Sequence, residues 1–348
     1  MKSLRDCFAS LAMTARELSL RGAPRRSNRV QTAAVIFVAL LAPGPAEAYR
    51  LLVSNEKDNT VTVVAGDTLE IVKTIPVGAR PRGMALSPDG GTAYVCTSDA
   101  NHIEVLDLAN LSLSGTLPSG PDPEFFALSP DGHTLYIANE DNNLVSVVDV
   151  PSAKVIAEIP TGVEPEGMAV SPDGATVVNT SETTSMAHFI DTAEKKVVAN
   201  VLVGSRPRFA AFTGDGKQVW VSSEVGGTVA VIDAASHKIE HTISFEVPGV
   251  RRETIQPVGI NLSRDGKLAF VALGPANRVA VIDQKSFEVV KYLLVGQRVW
   301  HMDFSPDQKV LYTANGISND MSVIDVTALK VTKSVPVGHL PWGVLAVP

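Results

Sequence analysis

Charged and aromatic residues recur at two fixed offsets from a repeated turn phrase. The phrase is Ser87-Pro88-Asp89-Gly90, and related phrases begin at Ser129, Ser171, Thr213, Ser263 and Ser305. Seven residues before it stand Arg80, Asp122, Glu164, Arg206, Gln256 and Arg298, with Leu340 in the matching place near the C-terminus. Five residues before it stand Arg82, Glu124, Glu166, Arg208, Val258, Trp300 and Trp342. Two neighbouring copies thus carry only carboxylates, while the arginines and tryptophans fall in the other five. Carboxylates on several loops supply oxygen ligands for a cation or a docking surface for a basic partner. Arginine supplies bidentate recognition of carboxylates, and tryptophan supplies a stacking face.

The elements that must position these residues follow from the repeat. Its steps are 42, 42, 42, 50 and 42 residues. A period of this size, with turn signals and short alternating strands, reads as propeller blades of four strands. In residues 78–119, Gly83–Leu86 is strand A and Ser87–Gly90 is a hairpin turn with Gly where positive φ is needed. Ala93–Thr97 is strand B, Ile103–Asp107 is strand C and Ser112–Leu117 is strand D. The chain from Tyr49 begins with strands B, C and D and no A, whereas Pro341–Val347 is a lone strand A. The two ends complete a seventh blade. The predicted fold is all-β: a seven-bladed β-propeller of four-stranded antiparallel blades, closed by the C-terminal strand A joining the N-terminal strands B, C and D.

Strand A runs away from one face, so the D–A and B–C loops share that face around the central channel. Its mouth is expected to be electrically split. The acidic sector holds Asp122, Glu124, Glu164 and Glu166, reinforced by Glu140 and Glu182 on the B–C loops with Asp141 beside them. The basic arc holds Arg80, Arg82, Arg206, Arg208 and Arg298 with Trp300 and Trp342. The 50-residue step adds eight residues within Phe245–Pro257, including Arg251 and Arg252, and long loops on rigid scaffolds often carry function. The arc with this loop is the candidate ligand site, suited to an anionic planar molecule such as PQQ. Its arginines would otherwise pair with Glu56, Glu224 and the acidic blades. The acidic sector is the candidate docking surface, for a c-type cytochrome or a dehydrogenase.

Other residues read as scaffold. Asp107, Asp149, Asp191, Asp233, Asp283 and Asp325 each close strand C, one in every full copy of the repeat, and cap the next turn. His188 stands where other blades carry small or polar residues, and a hydrogen-bonded core histidine is the favoured reading. Cys96 is a small buried hydrophobe. No nucleophile elbow, phosphate loop, haem-attachment pair or zinc spacing is present. No catalytic residue and no metal ligand are assigned.

Residues 1–48 read as a secretory signal peptide. A basic stretch precedes the apolar run Val30–Leu41, and Ala46-Glu47-Ala48 is a small-x-small cleavage site before Tyr49. The apolar run is short for a bilayer span, which needs roughly 20 residues. The expected mature protein is one domain, 49–348, periplasmic, free of the membrane and monomeric. The full chain carries 30 Lys/Arg and 37 Asp/Glu. Without residues 1–48, which hold seven Lys/Arg and three Asp/Glu, the net charge is −11. That argues against non-specific nucleic-acid binding, which needs a basic surface, while leaving room for local basic patches. With Cys7 in the leader, Cys96 is the one cysteine left, so no intramolecular disulfide forms.

The strand B phrases Tyr94-Val95-Cys96-Thr97 and Tyr136-Ile137-Ala138-Asn139, with the Val-x-Val-Ile-Asp-like strands after them, resemble the YVTN β-propeller repeat family. Segments that break the repeat consensus look like the PQQ-dependent catabolism-associated β-propeller proteins. They include Ser54–Asn59, Val163–Met168, Asn179–Thr184, Phe245–Val250 and Ala272–Arg278. The resemblance covers residues 49–348. It implies an exported protein of bacteria that oxidise alcohols with quinoprotein dehydrogenases, and it carries over no catalytic residue. The expected function is a non-catalytic binding or accessory protein with its site at the channel mouth. The alternatives are a propeller enzyme, lactonase-like or a dehydrogenase subunit, and a docking scaffold for a cytochrome or dehydrogenase.

Overall fold

The computed structural model describes residues 49–348. The leader predicted over 1–48 lies outside the described residues. The described chain forms seven four-stranded antiparallel sheets. Blade 1 is Pro81–Leu86 (A), Thr92–Thr97 (B), His102–Asp107 (C) and Ser112–Pro118 (D). Blades 2 to 6 follow with A strands Pro123–Leu128, Pro165–Val170, Pro207–Phe212, Ile260–Leu262 and Val299–Phe304. Blade 7 is composite: Pro341–Val347 pairs with Arg50–Asn55 in the register Arg50↔Val347 to Asn55↔Pro341. Among the described residues no helix is long and apolar enough to cross a membrane.

The turn phrases act as the sequence requires. Ser87 Oγ donates to Asp89 Oδ1 at 2.5 Å and accepts from Thr92 N at 2.9 Å, while Gly90 takes φ 72°. Asp107 accepts backbone N–H groups of Ala109 and Asn110 at 2.8 and 3.0 Å, which identifies the strand-ending aspartates as caps. Strands B and C are buried and strand D is mostly exposed. This matches near-continuous apolar runs in B and C, which pack against blades on both sides. The core therefore lies between blades. Trp220, Val229 and Val231 of blade 4 pack on Ala269, Val271 and Ile282 of blade 5. Leu51 and Val53 of blade 7 meet Tyr312, Met321 and Val323 of blade 6.

The longer step forms a strap at the blade 4–5 junction. Phe245, Val247 and Ile255 are buried in the inter-blade core, and Arg252–Thr254 makes one 3-10 turn.

The predicted core reading of His188 is what the structure shows. Its Nε2 accepts from Gly162 N at 3.0 Å and its Nδ1 meets Asn200 Oδ1 at 2.6 Å. Burial lowers its pKa, so the ring is neutral with the proton on Nδ1. In other blades Glu104 and Ser322 receive the corresponding glycine N–H. Cys96 is fully buried, its thiol donates to Pro123 O, and burial pushes its pKa up. It is not a reactive thiol.

Candidate functional site

The D–A and B–C loops do share one face, and backbone bonds tie them together. Ser98, Glu140, Glu182 and Glu224 each donate an N–H to the carbonyl seven residues before the turn, those of Arg80, Asp122, Glu164 and Arg206. In six of seven blades that residue takes a left-handed φ between 46° and 58°: Arg80, Asp122, Glu164, Arg206, Arg298 and Leu340. A non-glycine residue there costs energy. Asparagines of the preceding blade offset the cost, as Asn59 Oδ1 accepts from Arg80 N at 3.0 Å and Asn101 from Asp122 N at 2.9 Å. Gln256 is the exception, because the strap brings the chain into blade 5 on another path.

One step deeper, the strand A ladders break around residues 82–83, 124–125, 166–167, 208 and 300–301. Such irregularities re-aim side chains. Here they present the residues five before the turn towards the axis, and the residues four before it just below. The lower position reads Gly83, Phe125, Gly167, Phe209, Gly259, His301, Gly343 around the ring. Phe125, Phe209 and His301 meet one another, and Phe125 and His301 also meet Trp342, at centroid distances of 4.1–5.7 Å, forming an aromatic plug. The glycines make room: a Cβ on Gly83 meets Phe125 at 3.0 Å, and one on Gly259 meets His301 at 3.0 Å. His301 is pushed down to about 3 by burial, with Arg208 and Arg82 adding to it, so the plug is uncharged. This layer was missed from sequence, although the alternation of glycine and ring residues is visible there.

The expected electrical split is largely cancelled, and only Glu140, Asp141 and Glu164 of the acidic sector stay without an ion pair among the described residues. The sectors interlock, because blade-to-blade spacing places each guanidinium next to its neighbour's carboxylates. Arg80 meets Asp122 at 3.0 Å and Glu124 at 2.8 Å, and Arg82 meets Glu56 at 2.5 Å and Glu124. Arg206 meets Glu182 at 2.7 Å and Glu224 at 3.3 Å. Arg208 meets Glu166 at 2.9 Å, Glu182, and Glu224 at 3.8 Å. Arg298 meets Glu224 at 2.8 Å. Burial opposes the charge of Arg208, but Glu166, Glu182 and Glu224 outweigh it and hold the group protonated. Glu56 and Glu224, set aside as pairing partners, belong to the site with Glu140 and Glu182: all four follow the last residue of strand B.

The basic arc is correspondingly not a free anion cradle. Its guanidiniums are engaged, Trp342 is buried, and Trp300 is covered by Arg298 with Cζ 4.1 Å from the ring centroid. Arg251 and Arg252 are exposed on the strap. Arg251 meets Glu253 at 3.4 Å, and Arg252 borders a separate cavity of about 590 Å³ with Phe245, Val247 and Ile255. They do not join the axial arginines.

What remains open is off-axis, over blades 2 to 4. A cavity of about 480 Å³ is lined by Glu140, Glu164, Glu182, Thr183, Ser185, Ser205 and Arg206. Carboxylate oxygens of Glu140, Glu164 and Glu182 lie within 4.8 Å of one another, and Glu140 also converges with Asp122 and Glu124. These are the oxygens a hard cation would use, but Arg206 and Arg208 already neutralise Glu182. Glu164 accepts from the Thr183 hydroxyl. Glu140 is half-buried and pairs with no cation among the described residues. Burial, then Glu182 and Asp122, raise its pKa above the ordinary 4.5. Below, Glu166 Oε2 makes no hydrogen bond, and burial pushes Glu166 up against the pull of Arg208. The cavity thus joins an unpaired carboxylate, raised in pKa, to a guanidinium that meets Glu182 and Glu224 through its Nε.

The sequence model described as "Lactonase, 7-bladed beta-propeller" matches residues 186–331. No curated protein matches the chain. Among solved structures, hydrazine synthase of Kuenenia stuttgartiensis is 25% identical, with a TM-score of 0.73 over 80% of this chain and 92% of that one. The periplasmic gluconolactonase of Pseudomonas aeruginosa is 19% identical, with a TM-score of 0.73 over 86% and 99%. At that identity the second likeness shows the fold alone. The chain is a seven-bladed β-propeller, similar to the lactonase model over residues 186–331.

Proposed function

We propose that this protein is an exported hydrolase of small cyclic esters, working in the cavity over blades 2 to 4. The carrying observation is Glu140: a half-buried carboxylate without a cationic partner, raised in pKa, on a wall shared with Arg206. A carboxylate raised above its ordinary range is a stronger base in its ionised form. Glu140 takes a proton from water, and the resulting hydroxide adds to the lactone carbonyl. Arg206 holds the developing oxyanion. The ring C–O bond then breaks, and protonated Glu140 returns the proton to the leaving alkoxide, giving a hydroxy acid. The lactonase-type match and the name of the periplasmic gluconolactonase support the reaction class and the exported location.

A panel of aldonolactones, followed by acid release, tests this. Turnover is expected for at least one member, and Glu140→Gln is expected to lower kcat about 100-fold or more, as for a positioned acid–base group. No hydrolysis above buffer across the panel, or an unaffected Glu140→Gln variant, overturns it.

A second reading draws on the same unpaired charge. Glu140, Asp141 and Glu164 face solvent without ion pairs, which suits docking of a basic cytochrome or dehydrogenase in an accessory role in PQQ-dependent alcohol catabolism. It requires association that weakens as salt rises, and most strongly so in the parent protein compared with Glu164→Lys.

A further inference from the structure

We infer that the cavity over blades 2 to 4 selects uncharged cyclic esters and rejects those bearing a phosphate or carboxylate. This deepens the hydrolase reading and rests on it for the reaction, but the selection itself is a matter of wall charge. Three wall carboxylates converge within 4.8 Å, and only Glu182 among them meets guanidiniums. Arg206, the one cation lining the cavity, already lies 2.7 Å from Glu182 and 3.3 Å from Glu224. It therefore adds little net positive charge to the wall, and Glu140 and Glu164 have no ion-pair partner among the described residues. Asp122, whose carboxylate also converges with Glu140, is paired with Arg80 at 3.0 Å and adds no free charge.

An anionic substituent entering this open cavity meets like charges at short range, and the repulsion is screened as salt rises. A neutral ring meets no such barrier, and the hydroxyls of Ser185 and Ser205 offer it hydrogen-bond partners. Hydrolysis converts a neutral substrate into a carboxylate, so the same walls that reject anionic lactones favour departure of the product. Selection of this kind acts through repulsion of the wrong ligand rather than added attraction for the right one.

Two measurements test it together. In the first, kcat/KM for gluconolactone is compared with that for its 6-phosphate. The neutral lactone is expected to be preferred by about tenfold or more. The ratio should shrink several-fold in Glu164→Gln and on raising salt. In the second, calorimetry compares binding of the non-hydrolysable ring 1,5-anhydroglucitol with its 6-phosphate. The phosphorylated ring is expected to bind about tenfold more weakly or worse. Equal or tighter binding of the phosphorylated ring overturns the inference, as does its lactone being hydrolysed at least as well, or failure of both rings to bind. Weaker binding of the phosphorylated ring with neither lactone hydrolysed overturns the hydrolase reading while the charge selection stands.

Discussion

Deleting residues 341–348 is expected to abolish the native fold. This strand supplies the whole inner edge of blade 7, pairing with Arg50–Asn55, and it buries Trp342, Val344 and Val347. Trp342 also packs at a tilt against His301 and Phe125, so its loss opens the axial plug as well. Blade 6 loses a partner too, because Asp303 Oδ2 accepts from Ala346 N at 2.9 Å. Burying one large side chain is worth about 1.5–3 kcal/mol. Three such groups with six paired positions rival the 5–15 kcal/mol by which whole domains are stable. The truncated protein is expected to lack a cooperative thermal transition. Moving residues 341–348 ahead of Tyr49 through a short turn should restore one, since strand A would then enter its blade in the order used elsewhere. A truncated chain that melts like the parent contradicts closure by this strand.

Replacing Arg208 by methionine is expected to cost about 3–5 kcal/mol, the usual price of removing one partner of a buried ion pair. Arg208 is 8% exposed and stands against Glu166, Glu182 and Glu224. In a chain of this size the melting temperature should fall by roughly 6–10 °C or more. The loss should depend on pH in a definite direction. Arg208 is the largest influence holding Glu166 down against burial, so its removal raises the folded-state pKa of Glu166 further above the unfolded value. A carboxylate raised on folding destabilises the protein above that range, and the penalty fades as pH falls towards the unfolded pKa. The difference from the parent, measured by denaturant titration at each pH, should therefore be largest near neutrality and smaller near pH ~5. A constant difference across that window contradicts an electrostatic role for Arg208.

The fold was legible because each structural job recurs once per blade. Ser-Pro-Asp-Gly fixes the A–B hairpin, the strand C aspartates fix the next turn, and the incomplete ends disclose how the ring closes. The site was legible in position but not in charge. Counting back from the turn placed the axial residues on one face, as Arg80, Glu124, Glu166 and Arg208 show. It could not show that Arg80 reaches Glu124 of the next blade, or that Glu182 lies between Arg206 and Arg208. Those contacts depend on how adjacent blades are spaced, which one blade's sequence does not encode. The plug was overlooked for a different reason. Phe125, Phe209 and His301 resemble ordinary apolar strand residues until the intervening glycines Gly83, Gly167, Gly259 and Gly343 are seen with them. Glu140 was found, but as one of several rim carboxylates. Only the ion-pair pattern separates it from Glu124, Glu166 and Glu182, which all meet guanidiniums.

The pH dependence of kcat/KM for opening of a neutral lactone, in the parent and in Glu140→Gln, bears most directly on the site. Deprotonated Glu140 is the base, so the parent rate should fall tenfold per pH unit on the acid side of the Glu140 pKa. That limb should lie above the ordinary glutamate value of 4.5, because burial and the neighbouring carboxylates raise the group. In Glu140→Gln the residual rate should lose this limb. An acid limb of unchanged position and depth in the variant contradicts Glu140 as the base and removes the site over blades 2 to 4 from the chemistry.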